Sequence, residues 1–463
     1  MSALREACAR VFALDLRSLG VFRILLGVLV LGDAWSRGRF AAAFYSDAGF
    51  LPRALAREVA PEWVVPIHFW SGAPSVETAL LAVSGVLATL LILGIAPRWM
   101  CLSLWVLGRS LVQRNPMASY GADSLLLWLL FWGAWLPLGE RFAWRRGGRA
   151  SDASPTVWSA ASVGLSLQVL WLYVFAGVEK TGPMWFDGTA LNNALGLSYW
   201  QLPVGQFLRS FPALCAALTP AVLVFEVAGP LLLYSPCKTV PIRTVGILAF
   251  LGFQLGLGLS LDLGWFPLVS SLALVPLIPG ALWDRWGAAE PRWSAAPRWT
   301  SGVGASLAVA GLLVASVGVG VGFRLDVDLW PASLNRALET AGLQQRWEMF
   351  KNVPPFDTRL VPHGVLEDGR RVDLSRFADP GWAPVREALG TTRGRRYQVW
   401  LATHPAPRHH QRMARWLCQQ WRDAEVSEGA LREVRLFRVR RVFTPDGGYG
   451  EPEPVLRQRV ACN

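Results

Sequence analysis

Residues 173–191 read YVFAGVEKTGPMWFDGTAL, and the apolar run that leads into them begins near Val157. A run of about 20 apolar residues crosses a bilayer as a helix, so this stretch predicts a membrane span that ends at Lys180. The chain has 45 basic residues, of which only Lys180, Lys238 and Lys351 are lysine. Arginine stays charged under nearly all conditions, whereas a desolvated lysine can lose its proton and act as a base. Tyr173, Ala176, Gly177 and Lys180 recur at helical spacing and share one face. The small Ala176 and Gly177 let a flat ring or a second helix approach closely. The plain alternative is snorkelling, in which the lysine stem lies along lipid and its ammonium reaches water.

Outward from this span, the composition is 52% hydrophobic and 17% charged over 463 residues, with 24 tryptophans. That balance predicts a polytopic membrane protein with a soluble portion. The net charge of +12 follows from the positive-inside rule and anionic headgroups, and no basic, aromatic-interleaved motif points to nucleic acid. Apolar segments of spanning or near-spanning length fall near 18–35, 75–96, 99–113, 121–138, 157–178, 212–234, 242–262, 264–279 and 301–322. The third and eighth are short. The N-terminal MSALREACARVFALDLRSLG does not read as a cleaved signal peptide, since an arginine-bearing helical segment precedes the apolar run and no small-residue cleavage site follows.

Basic residues alternate along the loops. Arg5, Arg10 and Arg17 precede the first span; Arg98 follows the second; Arg141, Arg145, Arg146 and Arg149 follow the fourth. Lys238 and Arg243 follow the sixth, and Arg285, Arg292 and Arg298 follow the eighth. All lie on one side if the N-terminus is cytoplasmic. The first opposite loop mixes arginines with Asp47, Glu58 and Glu62. Nine spans then place the tail outside the cytoplasm of a multi-pass cell-membrane protein. The expected domains are 1–324, a helical membrane domain, and 325–463, an exoplasmic α+β domain that is mainly β. In that tail, LEDGRRVDL reads as a hairpin with a type I′ turn at Asp368–Gly369, and RRYQVWLA and EVRLFRVRRVF read as strands. RHHQRMARWLCQQWRD places Met413, Trp416, Leu417 and Trp421 at helical spacing. Cys418 and Cys462 either pair in an oxidising compartment or stay free and buried.

Charges inside a bilayer cost about 2.5–3.5 kcal/mol on insertion scales, so each needs a partner or a purpose. Arg23, Arg109, Asp123, Lys180 and Glu226 are the cases here. Mutual pairing is one reading, with Arg23 or Arg109 neutralising Glu226 or Asp123. Asp123 and Lys180 also fall at similar depth near the exoplasmic boundary. WFDGTALNNAL carries Trp185, Asp187, Asn192 and Asn193, which are either an interfacial anchor with a capped helix or the mouth of a cleft. His404, His409, His410 and Cys418 match no standard metal spacing and read as a solvated helix start; no metal is expected.

AGVEKTGPMWFDGTAL resembles the corresponding segment of vitamin K-dependent gamma-glutamyl carboxylases and of the related bacterial HTTM (horizontally transferred transmembrane) group. SLGVFRILLGVLVLGDAW, YGADSLLLWLLFW and the tail's QRWEMF and LEDGRRVDL are similar to that group too. The resemblance implies that Lys180 is the base that deprotonates reduced vitamin K, a quinol. Oxidation of the anion then yields an alkoxide that takes a glutamate gamma proton before carbon dioxide is captured. It also implies a lipid-soluble quinol in an apolar cleft and an exoplasmic peptide or protein substrate. Lys180 and Asp123 are then the catalytic candidates, and Tyr173, Trp185, Asp187, Glu226 and Arg109 the substrate-binding ones. Two positions depart from the carboxylases: Glu179 stands where they have a second lysine and would favour the ammonium form of Lys180, and Asp123 stands where they have a histidine. His68 is the only histidine before the tail. The competing expectation is a non-catalytic protein that binds a membrane lipid or quinone in the cleft and a protein partner through the tail. Transport is a third, less favoured for want of a broken-helix repeat pair.

Overall fold

The computed structural model describes residues 2–60, 66–144, 155–285, 299–424, 426–444 and 447–462. Glu62 and the loop arginines Arg145, Arg146, Arg149, Arg292 and Arg298 lie outside the described residues. All nine apolar segments are helical. Six are long and apolar enough to cross a membrane: α1 (Leu16–Gly38), α2 (Pro74–Leu93), α5 (Ala160–Val178), α6 (Pro212–Leu233), α7 (Thr239–Ser260) and α9 (Val303–Leu325). Between them lie α3 (Pro97–Arg114), which carries Arg98, Arg109 and Arg114, and two shorter apolar helices, α4 (Gly121–Gly133) and α8 (Phe266–Leu277).

Helix ends follow local chemistry. Proline opens α2, α3 and α6, where its missing N–H costs nothing. Ser159 caps α5 reciprocally with Ser162. Gly94 ends α2 in the left-handed region, at φ +75°. The bundle core centres on Leu19, Phe22, Leu26, Leu125, Trp128, Trp132, Leu165 and Leu172, all buried.

After α9 comes α10 (Ala332–Ala341), then a four-stranded antiparallel sheet of β1 (Phe356–Leu366), β2 (Arg371–Asp373), β3 (Leu431–Val442) and β4 (Glu453–Ala461), in the order β2-β1-β3-β4. Helices α11 (Thr392–Thr403) and α12 (Pro407–Asp423) lie in sequence between β2 and β3. The expected strand RRYQVWLA is instead helical, within α11. Thr391 caps it by accepting from the Gly394 N–H at 3.0 Å, and Arg393, Tyr397, Gln398, Leu401 and Ala402 form one buried face at helical period. The β1–β2 hairpin forms, but not through a type I′ turn. The Leu366 carbonyl accepts from the Gly369 N–H at 3.0 Å, and only Gly369 takes positive φ, at +89°. That is a type I turn followed by a left-handed glycine. Asp368 is held by Arg370, whose Nε donates at 2.6 Å.

Helix α12 buries Met413, Trp416, Leu417 and Trp421 as its spacing predicts. His409 and His410, expected on a solvated helix start, are buried instead: His410 lies 2.7 Å from the Ala406 carbonyl through Nδ1 and 2.8 Å from the Leu401 carbonyl through Nε2. Cys418 and Cys462 form a disulfide that ties α12 to the end of β4. The core of this C-terminal unit takes in residues of the first loop: Phe44, Phe50 and Leu55 pack with Tyr397, Trp416 and Leu436. The Phe50 ring lies 4.6 Å from Tyr397 and 5.2 Å from Trp416, and Arg412 donates to the Gly49 carbonyl.

Candidate functional site

Lys180 does not snorkel. It is 4% exposed and turns into the bundle. Its Nζ donates to the Glu226 carboxylate and, at 2.9 Å, to the Ala176 carbonyl one turn back. The Nζ also sits over the Trp185 ring, 5.1 Å from its centre. This geometry depends on close approach of α5 and α6. A Cβ at Gly177 would meet Val227 Cγ2 at 2.6 Å and Glu226 Cβ at 3.3 Å, so only glycine lets α6 bring its carboxylate to Lys180. Tyr173, two turns before Lys180, packs at a tilt against Phe250 with ring centres 4.1 Å apart, and its hydroxyl accepts from Gln254 at 3.1 Å. The other end of the Gln254 amide is buried with no hydrogen-bond partner. Trp185 is fixed by its indole N–H, which donates to the Phe350 carbonyl at 3.0 Å.

Glu179 pairs with Lys351 at 2.9 Å and so draws the segment after α10 against the end of α5. Asp187 is exposed and accepts from Thr189 N and Oγ1 at 2.9 and 2.6 Å, closing its own turn. Neither Arg23 nor Arg109 neutralises a buried acid. Arg23 donates to the carbonyls of Ile92, Leu138, Arg141 and Phe142. Arg109 donates to the Glu339 and Thr340 carbonyls at the end of α10, where a cation complements the helix dipole.

Asp123 belongs to a different cluster from Lys180. It sits in the first turn of α4, where Oδ2 accepts from the Tyr120 N–H at 2.9 Å. Arg393 of α11 grips both its oxygens, at 2.9 and 2.8 Å, and reaches Asp33 at 2.8 Å. Arg37 completes the square: it donates to Asp123, to Asp33 at 2.7 Å and to the Tyr45 hydroxyl at 2.8 Å. Buried Asp123 and half-buried Asp33 thus share two buried arginines across the junction of bundle and tail. Besides Asp123 itself, singled out as a charge in an apolar run, the i, i+4 spacing of Asp33 and Arg37 is a sequence signal for this cluster; Arg393 carried none. Beside it opens a cavity of about 470 Å³, lined by Arg37 and Arg393 with Trp35, Tyr45, Tyr120 and Trp265. His68 lies buried in the first loop, with Nδ1 2.7 Å from Ser110 Oγ. Burial, and then the charges of Arg37 and Arg114, push its pKa down to about 4.

The HTTM domain matches residues 13–283. The chain belongs to the HTTM family. Together with its apolar helices, this makes it an integral membrane protein. No curated protein and no solved structure gives a significant match. The matched region of this HTTM protein runs from the start of α1 past α8 and holds Lys180, Glu226, Tyr173, Trp185, Asp187, Arg109 and Asp123. Arg393, which closes the second cluster, lies beyond it. Among the described residues, no group of three His, Cys, Asp or Glu is placed to hold a metal ion.

Proposed function

We propose that this HTTM protein is a membrane enzyme that deprotonates a lipid-soluble quinol of the vitamin K type at Lys180. The carrying observation is the buried Lys180–Glu226 pair against the Trp185 ring. The step requires Lys180 as the free amine: Nζ then has a lone pair, takes the quinol hydroxyl proton, and leaves a quinolate beside the new ammonium. The unpartnered end of the Gln254 amide and the nearby Tyr173 hydroxyl suit a quinol's polar edge. Oxidation of the quinolate requires oxygen, and gamma-carboxylation of an exoplasmic peptide requires carbon dioxide as well. We assign Asp123 to clamping the tail onto the bundle, because its oxygens are taken by Arg37 and Arg393.

The reading includes nine crossings in the cell membrane, a cytoplasmic N-terminus and an exoplasmic tail. It is supported by Arg98, Arg141, Lys238, Arg243 and Arg285 falling on alternate connections, and by a disulfide in the tail, which suits an oxidising compartment. A second reading, a non-catalytic lipid- or quinone-binding protein, is favoured by one observation: Lys180 is fully satisfied by Glu226, the Ala176 carbonyl and the Trp185 face. The test is to incubate the purified protein with reduced vitamin K and oxygen, with Lys180→Ala as control, and to look for the epoxide. Epoxide from wild type alone supports the enzyme; quinone binding without turnover in either protein selects the second reading.

A further inference from the structure

The arginines of β3 and β4 divide into two sets. Arg435 and Arg459 both hold Glu433, and Arg441 holds Asp357 at 3.0 Å. Among the described residues, Arg438, Arg440 and Arg457 have no carboxylate partner, and the Nε of each is buried without a hydrogen bond. Register places them together. Arg438 stands between Leu360 and Val455, and Arg440 between Thr358 and Glu453, so both side chains leave the same face of the sheet. Arg457 lies where the β3–β4 register shifts, and burial and then the charge of Arg438 lower its pKa. Its one hydrogen bond, at 3.3 Å, goes to the Ala402 carbonyl. The Arg440 guanidinium is spread over the Phe356 ring at 3.9 Å, which orients it. Glu453, the acid opposite Arg440, does not close on it and is exposed. Val442 and Val455 on the same face are 43% and 42% exposed.

Three half-buried guanidiniums with no paired carboxylate among the described residues, held on a strand face, call for an anion. We propose that this end of the sheet docks an extended acidic peptide segment, with carboxylates at alternate positions meeting Arg438 and Arg440 and a further acid meeting Arg457. The spacing selects a peptide. Arg438 and Arg440 are two residues apart on one strand, about 7 Å, which is also the separation of alternate side chains on an extended chain. A lipid surface offers no such repeat. The site names a partner chemistry for the C-terminal unit and stands whether or not Lys180 acts on a quinol.

The test uses the full-length protein in detergent and a fluorescent peptide of about ten residues with glutamate at alternate positions, followed by anisotropy. Binding that weakens with salt is expected, as is its loss when the glutamates are replaced by glutamine. The double variant Arg438→Gln/Arg440→Gln weakens it about tenfold or more, since each arginine makes a charge-assisted contact. Arg432→Gln, an exposed arginine at the other end of β3, leaves it unchanged. Equal binding by the double variant, no binding by wild type, or binding of anionic vesicles but not the peptide each overturns the proposal. Unchanged thermal unfolding of the variants separates lost docking from lost fold.

Discussion

Replacing Arg393 by glutamine tests whether the Asp33–Arg37–Asp123–Arg393 square holds the tail to the bundle. Arg393 makes three charge-assisted bonds of 2.8–2.9 Å to Asp123 and Asp33, and a weaker one to the Ala118 carbonyl at 3.3 Å. Its removal leaves buried Asp123 and half-buried Asp33 with Arg37 as the cation still hydrogen-bonded to both. Breaking a buried pair from one side costs about 3–5 kcal/mol, most of it from the charge left behind. Arg37 offsets part of that, so the expected loss is about 3 kcal/mol. Thermal unfolding in detergent reads the total, and hydrogen exchange of α11 reads where it falls, with α11 and the first loop losing protection before α5. If the square is one unit, Asp123→Asn costs much less in the Arg393→Gln background than in wild type. Additive effects, or a loss below about 1 kcal/mol, would refute the reasoning.

Gly177→Val drives a side chain into Val227 and Glu226 and is expected to cost about 1–3 kcal/mol while parting Glu226 from Lys180, checked by thermal unfolding together with quinol turnover. His68 is neutral in the folded protein and binds its proton less tightly than the unfolded chain does. Its contribution to stability is complete above pH 6.5 and falls as the pH drops toward about 4, by about 3 kcal/mol in all. The slope of an unfolding titration over that window flattens in His68→Gln. Cys418→Ser opens a closure spanning 44 residues and lowers stability by about 4 kcal/mol; reductant has the same effect on wild type and none on the variant.

The helical membrane portion was legible because hydropathy and length act through local sequence: all nine apolar segments are helices. The inward turn of Lys180 was half legible. The Ala176–Gly177 pair announced a close neighbour, but nothing local identified α6 and Glu226 as that neighbour. Pairing of the buried charges was misassigned for the same reason, since backbone carbonyls of loops and helix ends satisfy Arg23 and Arg109 and carry no sequence signature. RRYQVWLA read as a strand because Tyr397, Val399 and Leu401 alternate, and tertiary burial of Tyr397, Leu401 and Ala402 selected the helical period instead. Arg393 was invisible because its partners, Asp33 and Asp123, lie 360 and 270 residues away.

The packing of Phe50 against Tyr397 and Trp416 also counts crossings. Two segments that share one apolar core lie on the same side of the membrane, so the chain between them crosses an even number of times. Of the six long helices, five fall between the first loop and the tail: α2, α5, α6, α7 and α9. Five crossings would leave the two halves of that core facing each other across the bilayer. If all five cross, an odd number of α3, α4 and α8 would have to cross as well; the proposed arrangement of nine spans meets that condition, with eight crossings between loop and tail.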